Sequence, residues 1–530
     1  SRTGSLLDTV DCTLTNGGAR LLARHFAAPL ADLAAINARL DAVQWFIAEQ
    51  KPRDAIRTQL KQCPDLERAL SRLILGRGGA RDLAALRDAL LYATAIRTHL
   101  KKTTATALQA IARNIVLPSS LQDLVQDLQC GLKSELPLLT RDGGFIAEGF
   151  DTTLDELLAL RQNSKKIIAA AEARYKHASG INTLKIKHNM ILGYFIEVTP
   201  TFADKAFHTR DPDKEGDSRL FIHRQTLATA ARFTTVELAD LDKKIAEADA
   251  RILQIELALF EKFVERIKQN NAALRQIAES LAGLDVATSW AVLATTENYT
   301  RPVLDNSLGF TIEKGRHPVV ENALKQRNGA ARFIANDCAL DDGQRLWLLT
   351  GPNMAGKSTF LRQNALIVFL AQIGAFVPAA RAQIGIVDRL FSRVGAADDL
   401  AQGKSTFMVE MIETATIVHQ ATERSLVILD EIGRGTATFD GLSIAWATLE
   451  HLHAHNKCRG IFATHYHELT QLEETLDQLA CYTLNVREWQ GDIIFLHEVI
   501  KGQAEHSYGI HVARLAGMPS SLLTRATTLL

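Results

Sequence analysis

The spacing of apolar residues changes three times along the chain, and each change predicts a different architecture. Over residues 1–150, Ala and Leu recur at steps of three and four, the period of helices with one buried face. Glycine-rich breaks, "TNGG" at 15–18, "GRGG" at 76–79 and "RDGG" at 141–144, punctuate the run as turns. Alternating patterns are nearly absent there, so a helical core is expected. Residues 151–177 predict one long helix with a weak seam at Leu154, Leu157, Ile168, Ala171 and Tyr175. A second predicted helix, within 235–297, carries Leu241, Ile245, Ala248, Ile252, Ile255, Leu259 and Phe263, close to a heptad repeat. The pair reads as antiparallel coiled-coil lever arms. Two core helices of one globular domain are the plainer alternative.

Between these helices the period drops to two. In "TLKIKHN" the alternation puts Thr183, Lys185 and Lys187 on one face and Leu184 and Ile186 on the other. "GYFIEV" follows with Gly193 at the turn, so residues 178–234 predict a small β-rich domain at the tip of the arms. "DPDKEGDS" at 211–218 is expected to be a polar loop. Over 298–505, the apolar runs "LWLLT", "LVILD" and "GIFATH" alternate with helical stretches, the signature of a parallel sheet with covering helices. Residues 506–530 read as two short helices joined at Gly517, Met518 and Pro519. The expected fold class is therefore multidomain α and α/β.

Composition narrows the picture only modestly. At 530 residues the chain exceeds one core, and 47% apolar with 23% charged residues is ordinary for a globular protein. Sixty basic residues balance sixty acidic ones, so any nucleic-acid surface has to be local. Six scattered cysteines, none at CxxC spacing, point to reduced thiols in the cytosol rather than a disulfide or zinc frame. The apolar run "ALIVFLAQIGAFVPAA" from Ala365 is broken by Gln372 and Gly374 and is too short to span a membrane. Both ends read as cut, so the chain is expected to be part of a longer protein.

Candidate chemistry concentrates in the α/β region. "LWLLT-GPNMAGKS-TFLRQ" sets GxxxxGKS between a strand and a helix, the context in which such a loop cradles phosphates. Backbone N–H groups across Gly351, Pro352, Asn353, Met354, Ala355 and Gly356 would wrap the phosphates at the positive end of a helix, with the obvious exception of the proline. Lys357 adds a charge at the β- and γ-phosphates, Ser358 offers a hydroxyl to Mg²⁺, and Thr359 continues the helix start. "SLVILDEIGRG" places Asp430 and Glu431 at the end of a buried strand, where α/β sheets bind ligands. Asp430 is expected to hold Mg²⁺ through water and Glu431 to polarise the attacking water, which points to an ATPase. His465, in "IFATHYHEL", ends another strand and is a candidate γ-phosphate sensor. Ser405, in the helix-opening turn "AQGKST", is a second anion-binding candidate, expected to act on the nucleotide of a partner copy.

Together these stretches resemble the MutS family of DNA mismatch-repair proteins. "TGPNMAGKSTFLRQ", "RVGAADDLAQGKSTFMVEM", "LDEIGRGTATFDG", "FATHYHELTQL" and "SYGIHVARLAG" look like its ABC-type ATPase domain. "LLDTVDCTLTNGGARLL" and "RDGGFIAEGF" are similar to its helical core, and "LKIKHNMILGYFIEVT" and "RQTLATAARF" to its DNA clamp. The resemblance implies a homodimer with composite ATP/ADP and Mg²⁺ sites that control a grip on double-stranded DNA. It also implies a MutL-type repair partner and a place in the bacterial cytosol on the nucleoid, away from membranes. Phe333 and Ile334 in "RFIAN" and His497 in "FLHEV" match positions expected near the adenine. The mismatch-reading and connector domains that open the family's proteins are not in these residues, so the chain is not expected to discriminate mismatches by their Phe-x-Glu wedge.

Lys185, Lys187, His188, Asn189, Arg224, Thr226 and Arg232 are the candidate phosphate contacts on DNA, since cations on one hairpin face suit backbone contact without base readout. The same insertion holds Asp204, Asp211, Asp213, Glu215 and Asp217, so ordinary solvated lysines are the competing account. Three other readings stay open: a transporter ATPase subunit, an architectural coiled-coil ATPase, and recombination- or ribosome-associated members of the same family.

Overall fold

The computed structural model describes residues 4–529 apart from 190, 211–218, 328–331, 395–405, 490–491 and 504–508. The chain divides into two compact units, each assembled from separated stretches: Pro64–Thr94 with Leu117–Gln276, and Ser1–Cys63 with Ala95–Val116 and Ile277–Leu530.

In the first of these units a helix Thr152–Ser179 leads into four antiparallel strands, β1 (Lys185–Asn189), β2 (Gly193–Val198), β3 (Ile222–Leu227) and β4 (Ala230–Thr234), ordered β1-β2-β4-β3. The helix is capped by the Asp151 carboxylate on Leu154 N–H and stops at Gly180, whose φ of +63° a side chain would resist. The chain returns through the helix Val236–Gln269, capped by Thr235 on Leu238 N–H. Ile181, Leu184, Ile196, Val198, Phe221, Ala231 and Phe233 form the sheet's core, sealed by Ala171, Tyr175 and Leu238 from the two helices.

The buried stripe on Val236–Gln269 departs from the expected seam. Leu241, Ile255 and Leu259 are only partly buried, and the stripe runs through Leu238, Ile245, Ala248, Ile252, Glu256, Phe260, Phe263 and Ile267. A straight helix drifts from a strict heptad by its 3.6-residue turn, and here the drift brings a carboxylate inward. Glu256 is 2% exposed and accepts the N–H of Gly144 at 2.6 Å and of Ile146 at 3.1 Å. The helix also breaks at Asn270, where a new one, Asn271–Glu297, begins. Among the described residues that second helix is the one long and apolar enough to cross a membrane by length and composition. However, 72% of its apolar window is buried inside the protein.

The other unit holds two sheets. The smaller joins β5 (Val303–Asp305), β6 (Phe310–Gly315), β7 (Asn336–Leu340) and β9 (Arg381–Gly385) in the order β5-β9-β6-β7. The larger adds β8 (Leu346–Thr350), β10 (Leu390–Arg393), β11 (Leu426–Asp430), β12 (Arg459–Ala463), β13 (Leu479–Trp489) and β14 (Asp492–Lys501), ordered β10-β11-β12-β8-β13-β14. Its first five strands are parallel and β14 is antiparallel. The strands β8 and β12 are buried throughout, which explains the apolar runs Leu346–Leu349 and Gly460–Ala463; Arg459, at the start of β12, is buried too and donates to the Gly385 and Arg424 carbonyls. Trp347 stacks on Tyr482 at 3.5 Å between centroids, locking β8 to β13.

Glu256→Ala leaves two N–H groups without their carboxylate and should cost about 3 kcal/mol, with Glu256→Gln costing less. Urea unfolding of the two variants against the parent chain checks the order.

Candidate functional site

The parallel register of the larger sheet brings three loops to one edge. Asp430 pairs with Ala463 across β11 and β12, and Ala463 with Leu349 across β12 and β8. The residues that follow, Glu431, Thr464 and the glycine loop, therefore leave the sheet side by side. Glu431 N–H donates to the Ala463 carbonyl at 2.9 Å, and Thr464 N–H to that of Leu349 at 3.0 Å.

After β8 the backbone turns through Gly351, with φ +117°, a short 3₁₀ turn Asn353–Ala355, and Gly356, with φ +110°. Both glycines hold conformations closed to other residues, which is why the loop needs them. The helix Lys357–Gln372 starts directly afterwards, its first N–H groups facing the loop. Lys357 is 1% exposed, and its ammonium donates to the Gly351 carbonyl. Burial pushes its pKa below the usual lysine range, opposed by Glu431 and Asp430.

Ser358 Oγ donates to Asp430 Oδ2 at 2.6 Å. The other oxygen of that carboxylate, Oδ1, is buried with no partner among the described residues. Burial raises the Asp430 pKa, while the Ser358 bond and Lys357 oppose the rise. Glu431 sits at φ +54°, a left-handed position uncommon for a side-chain-bearing residue. Its Oε2 pairs with Arg434 Nη1 at 2.6 Å, and its Oε1 is buried without a partner among the described residues. His465 is solvent-exposed, yet partial desolvation lowers its pKa against the opposing pull of Glu431, so the neutral imidazole is favoured. Lys357, Ser358, Asp430, Glu431 and His465 thus converge.

A pocket of about 260 Å³ opens beside this cluster. Phe333, Ile334 and His497 line it together with Met354, Ala355, Gly356 and Thr359. His497 also has a positive φ, +54°, and its Nδ1–H donates to the Ala355 carbonyl at 2.7 Å, joining the pocket to the loop. Asn336 fixes the far side, donating to the His497 carbonyl at 2.9 Å and accepting Val499 N–H at 2.7 Å. Ser405 and the turn before it lie outside the described residues.

The candidate DNA contacts divide. Register places Lys185, Glu197, Arg232 and Gln225 side by side across the small sheet, with Lys187 opposite Phe195 on the same face. Lys187 and Arg232 both bond Glu197, at 2.6 and 3.3 Å, and hold its pKa below the usual carboxylate range. Three cations and one carboxylate leave that face net positive. His188 does not join them. Its ring lies tilted by 57° against Tyr194, 4.7 Å between centroids, one position out of phase with the lysines. Thr226 pairs with Ala231, one residue out of phase with Arg232, and bonds the His223 ring at 2.8 Å. Asn189 turns its carbonyl to the N–H groups of Ile191 and Leu192, closing the hairpin. Arg224 is exposed at a bulge of β3.

Sequence reasoning missed Arg434, Glu410 and Asn336. Arg434 stands three residues after Glu431 in "DEIGRG" and was legible as a charge partner. Glu410, whose Oε1 accepts the Gly433 N–H at 2.5 Å, and Asn336, bonded to the His497 carbonyl, act across 23 and 161 residues, with no local signal.

Strand, glycine loop, helix and a neighbouring strand-end carboxylate define a phosphate-binding-loop domain of the α/β class. Residues 1–291 match the family model of MutS domain III and residues 347–530 that of MutS domain V. The DNA mismatch repair protein MutS of Rhodopseudomonas palustris (strain BisA53) is 55% identical over 534 residues, covering 100% of this chain and 58% of the relative. Those of Nitrobacter hamburgensis and of Rhizobium meliloti (strain 1021) are also 55% identical, again over 100% of this chain and 58% of theirs. The chain belongs to the MutS family. It spans 58% of the length of these curated relatives.

Lys357→Met removes the titrating ammonium and leaves the Gly351 carbonyl, Asp430 and Glu431 without its charge. A lysine whose pKa is lowered on folding makes stability rise with pH between that lowered value and 10.5. The variant should flatten that rise, and thermal melts across the alkaline range measure it.

Proposed function

We propose that this chain is the helical, clamp and ATPase portion of a DNA mismatch-repair protein, which hydrolyses ATP at dimer-composite sites and grips duplex DNA. The observation that carries the reading is the Ser358–Asp430 contact with a buried carboxylate oxygen left over beside it. A hydroxyl and one carboxylate are what a hard cation needs from protein when phosphate and water supply its other ligands. Mg²⁺ held there would neutralise charge on the β- and γ-phosphates during transfer.

The chain's own residues do the rest. The N–H groups from Gly351 to Thr359 orient the phosphates, and Lys357 leaves the Gly351 carbonyl for them. Glu431 exchanges Arg434 for a water and orients it for in-line attack. Neutral His465 donates to the γ-phosphate side. Phe333, Ile334 and His497 enclose the adenine in their pocket. Ser405 of a second copy completes the enclosure, which makes the homodimer the working unit.

Lys185, Lys187, Arg232 and Arg224 meet DNA phosphates without reading bases, on a β-rich clamp carried by the helices Thr152–Ser179 and Val236–Gln269 as lever arms. His188, Asn189 and Thr226 shape that surface from the hairpin and the adjoining face. The 55% identity to proteins named for DNA mismatch repair supports this assignment, together with a MutL-type partner and a cytosolic place.

Glu431→Gln should retain ATP with affinity within about twofold while turnover falls at least about a hundredfold. Lys357→Ala should weaken ATP binding itself. Equilibrium binding of a fluorescent ATP analogue beside steady-state phosphate release separates the two. Duplex binding should weaken steeply with salt, with a log–log slope of about −0.9 for each phosphate neutralised. Glu197→Gln frees Lys187 and Arg232 for DNA and should tighten binding several-fold in a salt titration, whereas Lys185→Glu should weaken it.

A further inference from the structure

The pocket beside the glycine loop holds a polar side chain that its other walls leave unused. Those walls are mostly apolar, and two of the lining residues carry amides, Asn336 and Gln363. Asn336 is fully engaged. Its Nδ2 donates to the Ile334 and His497 carbonyls at 3.3 and 2.9 Å, and its Oδ1 accepts the Val499 N–H at 2.7 Å. His497 is committed through Nδ1 to the Ala355 carbonyl. Gln363 is different. It borders the pocket and is 0% exposed, yet neither its Oε1 nor its Nε2 has a partner among the described residues.

Its place follows from the helix Lys357–Gln372. Gln363 comes one turn after Thr359, which lines the pocket too, so both occupy one helical face. Helical side chains lean back towards the N-terminus, which here is the glycine loop. The surroundings of the amide explain its missing bonds. A Cβ on Gly315 would lie 2.6 Å from Gln363 Nε2, 2.9 Å from Ile312 Cγ2 and 3.2 Å from Ile367 Cδ1, so the amide shares that corner with a glycine and two isoleucines. Two unpaired polar atoms on a buried side chain cost stability, and methionine would fill the same space without that cost. A glutamine kept under these conditions points to a ligand that pairs it.

We propose that Gln363 is the base-reading residue of this pocket, its amide turning onto the 6-amino group and the adjoining ring nitrogen of an adenine. This rests on the proposed enclosure of adenine by Phe333, Ile334 and His497. Oε1 accepts from the amino group while Nε2 donates to the ring nitrogen, the bidentate pairing that amide side chains make with adenine. The side chain has no hydrogen bond to break when it turns, and its terminal torsion is soft. Apolar walls give stacking area to any base. Gln363 supplies the contact that separates a 6-aminopurine from a purine lacking that group.

The test measures equilibrium binding of ATP and of purine riboside triphosphate, which carries hydrogen in place of the amino group, to wild type, Gln363→Met and Phe333→Ala of this chain. Wild type should bind ATP at least about tenfold more tightly than the analogue. Gln363→Met should bring the two within about threefold by weakening ATP. Its kcat at saturating ATP should stay within about twofold of wild type, the pattern of a contact made equally in ground and transition states. The nucleotide-free variant should melt at the wild-type temperature or above it, because it loses only an unpaired amide. A lower melting temperature makes the amide structural and overturns the assignment. So does an affinity ratio that survives the substitution, and so does a wild type that binds both triphosphates equally, a result that needs no variant. Phe333→Ala should weaken both triphosphates alike. If it weakens neither, the adenine enclosure fails and the role of Gln363 with it; if it weakens both while Gln363→Met keeps the wild-type ratio, the role of Gln363 alone is lost.

Discussion

The parallel pairing of β8, β12 and β11 is the constraint on which the rest depends. It sets Leu349, Ala463 and Asp430 at one level, so the glycine loop, His465 and Glu431 emerge together at the carboxyl edge of the sheet. A one-residue slip in any of these pairings would turn the strand's side chains over and part Asp430 from Ser358. Residues 72 positions apart in sequence meet at hydrogen-bond distance because three buried strands cannot slide. Their apolar runs are therefore as much a part of the site as the polar residues beyond them.

The polar residues at that edge hold features a purely structural loop would avoid. Two adjacent carboxylates each keep one buried oxygen without a partner among the described residues, and Glu431 sits in a left-handed conformation. Burial raises Asp430 and lowers Lys357, so each group stands in a setting that disfavours its own charge. Groups of opposite sign arranged this way are favoured by a ligand that supplies compensating charges, as phosphate and a divalent cation would. The lysine's contact with the Gly351 carbonyl and the glutamate's with Arg434 are the internal substitutes the protein itself provides.

Legibility in the sequence followed the range of the interaction. "LWLLT" and "LVILD" announced β8 and β11 because burial on both faces leaves only apolar residues, and the glycines of "GPNMAGKS" announced a loop with positive φ. The pocket residues Phe333, Ile334 and His497 came from resemblance; periodicity says nothing about which distant side chains share a cavity. The β insertion was visible in its alternation, but the pairing of Lys187 and Arg232 with Glu197 was not, since it depends on which strands lie adjacent. The seam on Val236–Gln269 was misplaced by one position over its middle turns. A heptad template prefers Ile255 and Leu259 to Glu256 and Phe260, and nothing local shows that Glu256 has two backbone donors waiting 110 and 112 residues away.

That inward glutamate has a mechanical side. The helix Val236–Gln269 runs for 34 residues, about 50 Å at its usual rise, and most of its stripe is grease that tolerates rotation about the axis. Glu256 is the exception, because directional bonds to Gly144 and Ile146 penalise any roll. The helix's roll is fixed there, as it is nearer the ends by Asp242 on the Tyr194 N–H and by Arg266 on the Asp127 carboxylate, so the face it turns to each neighbour is set along its length.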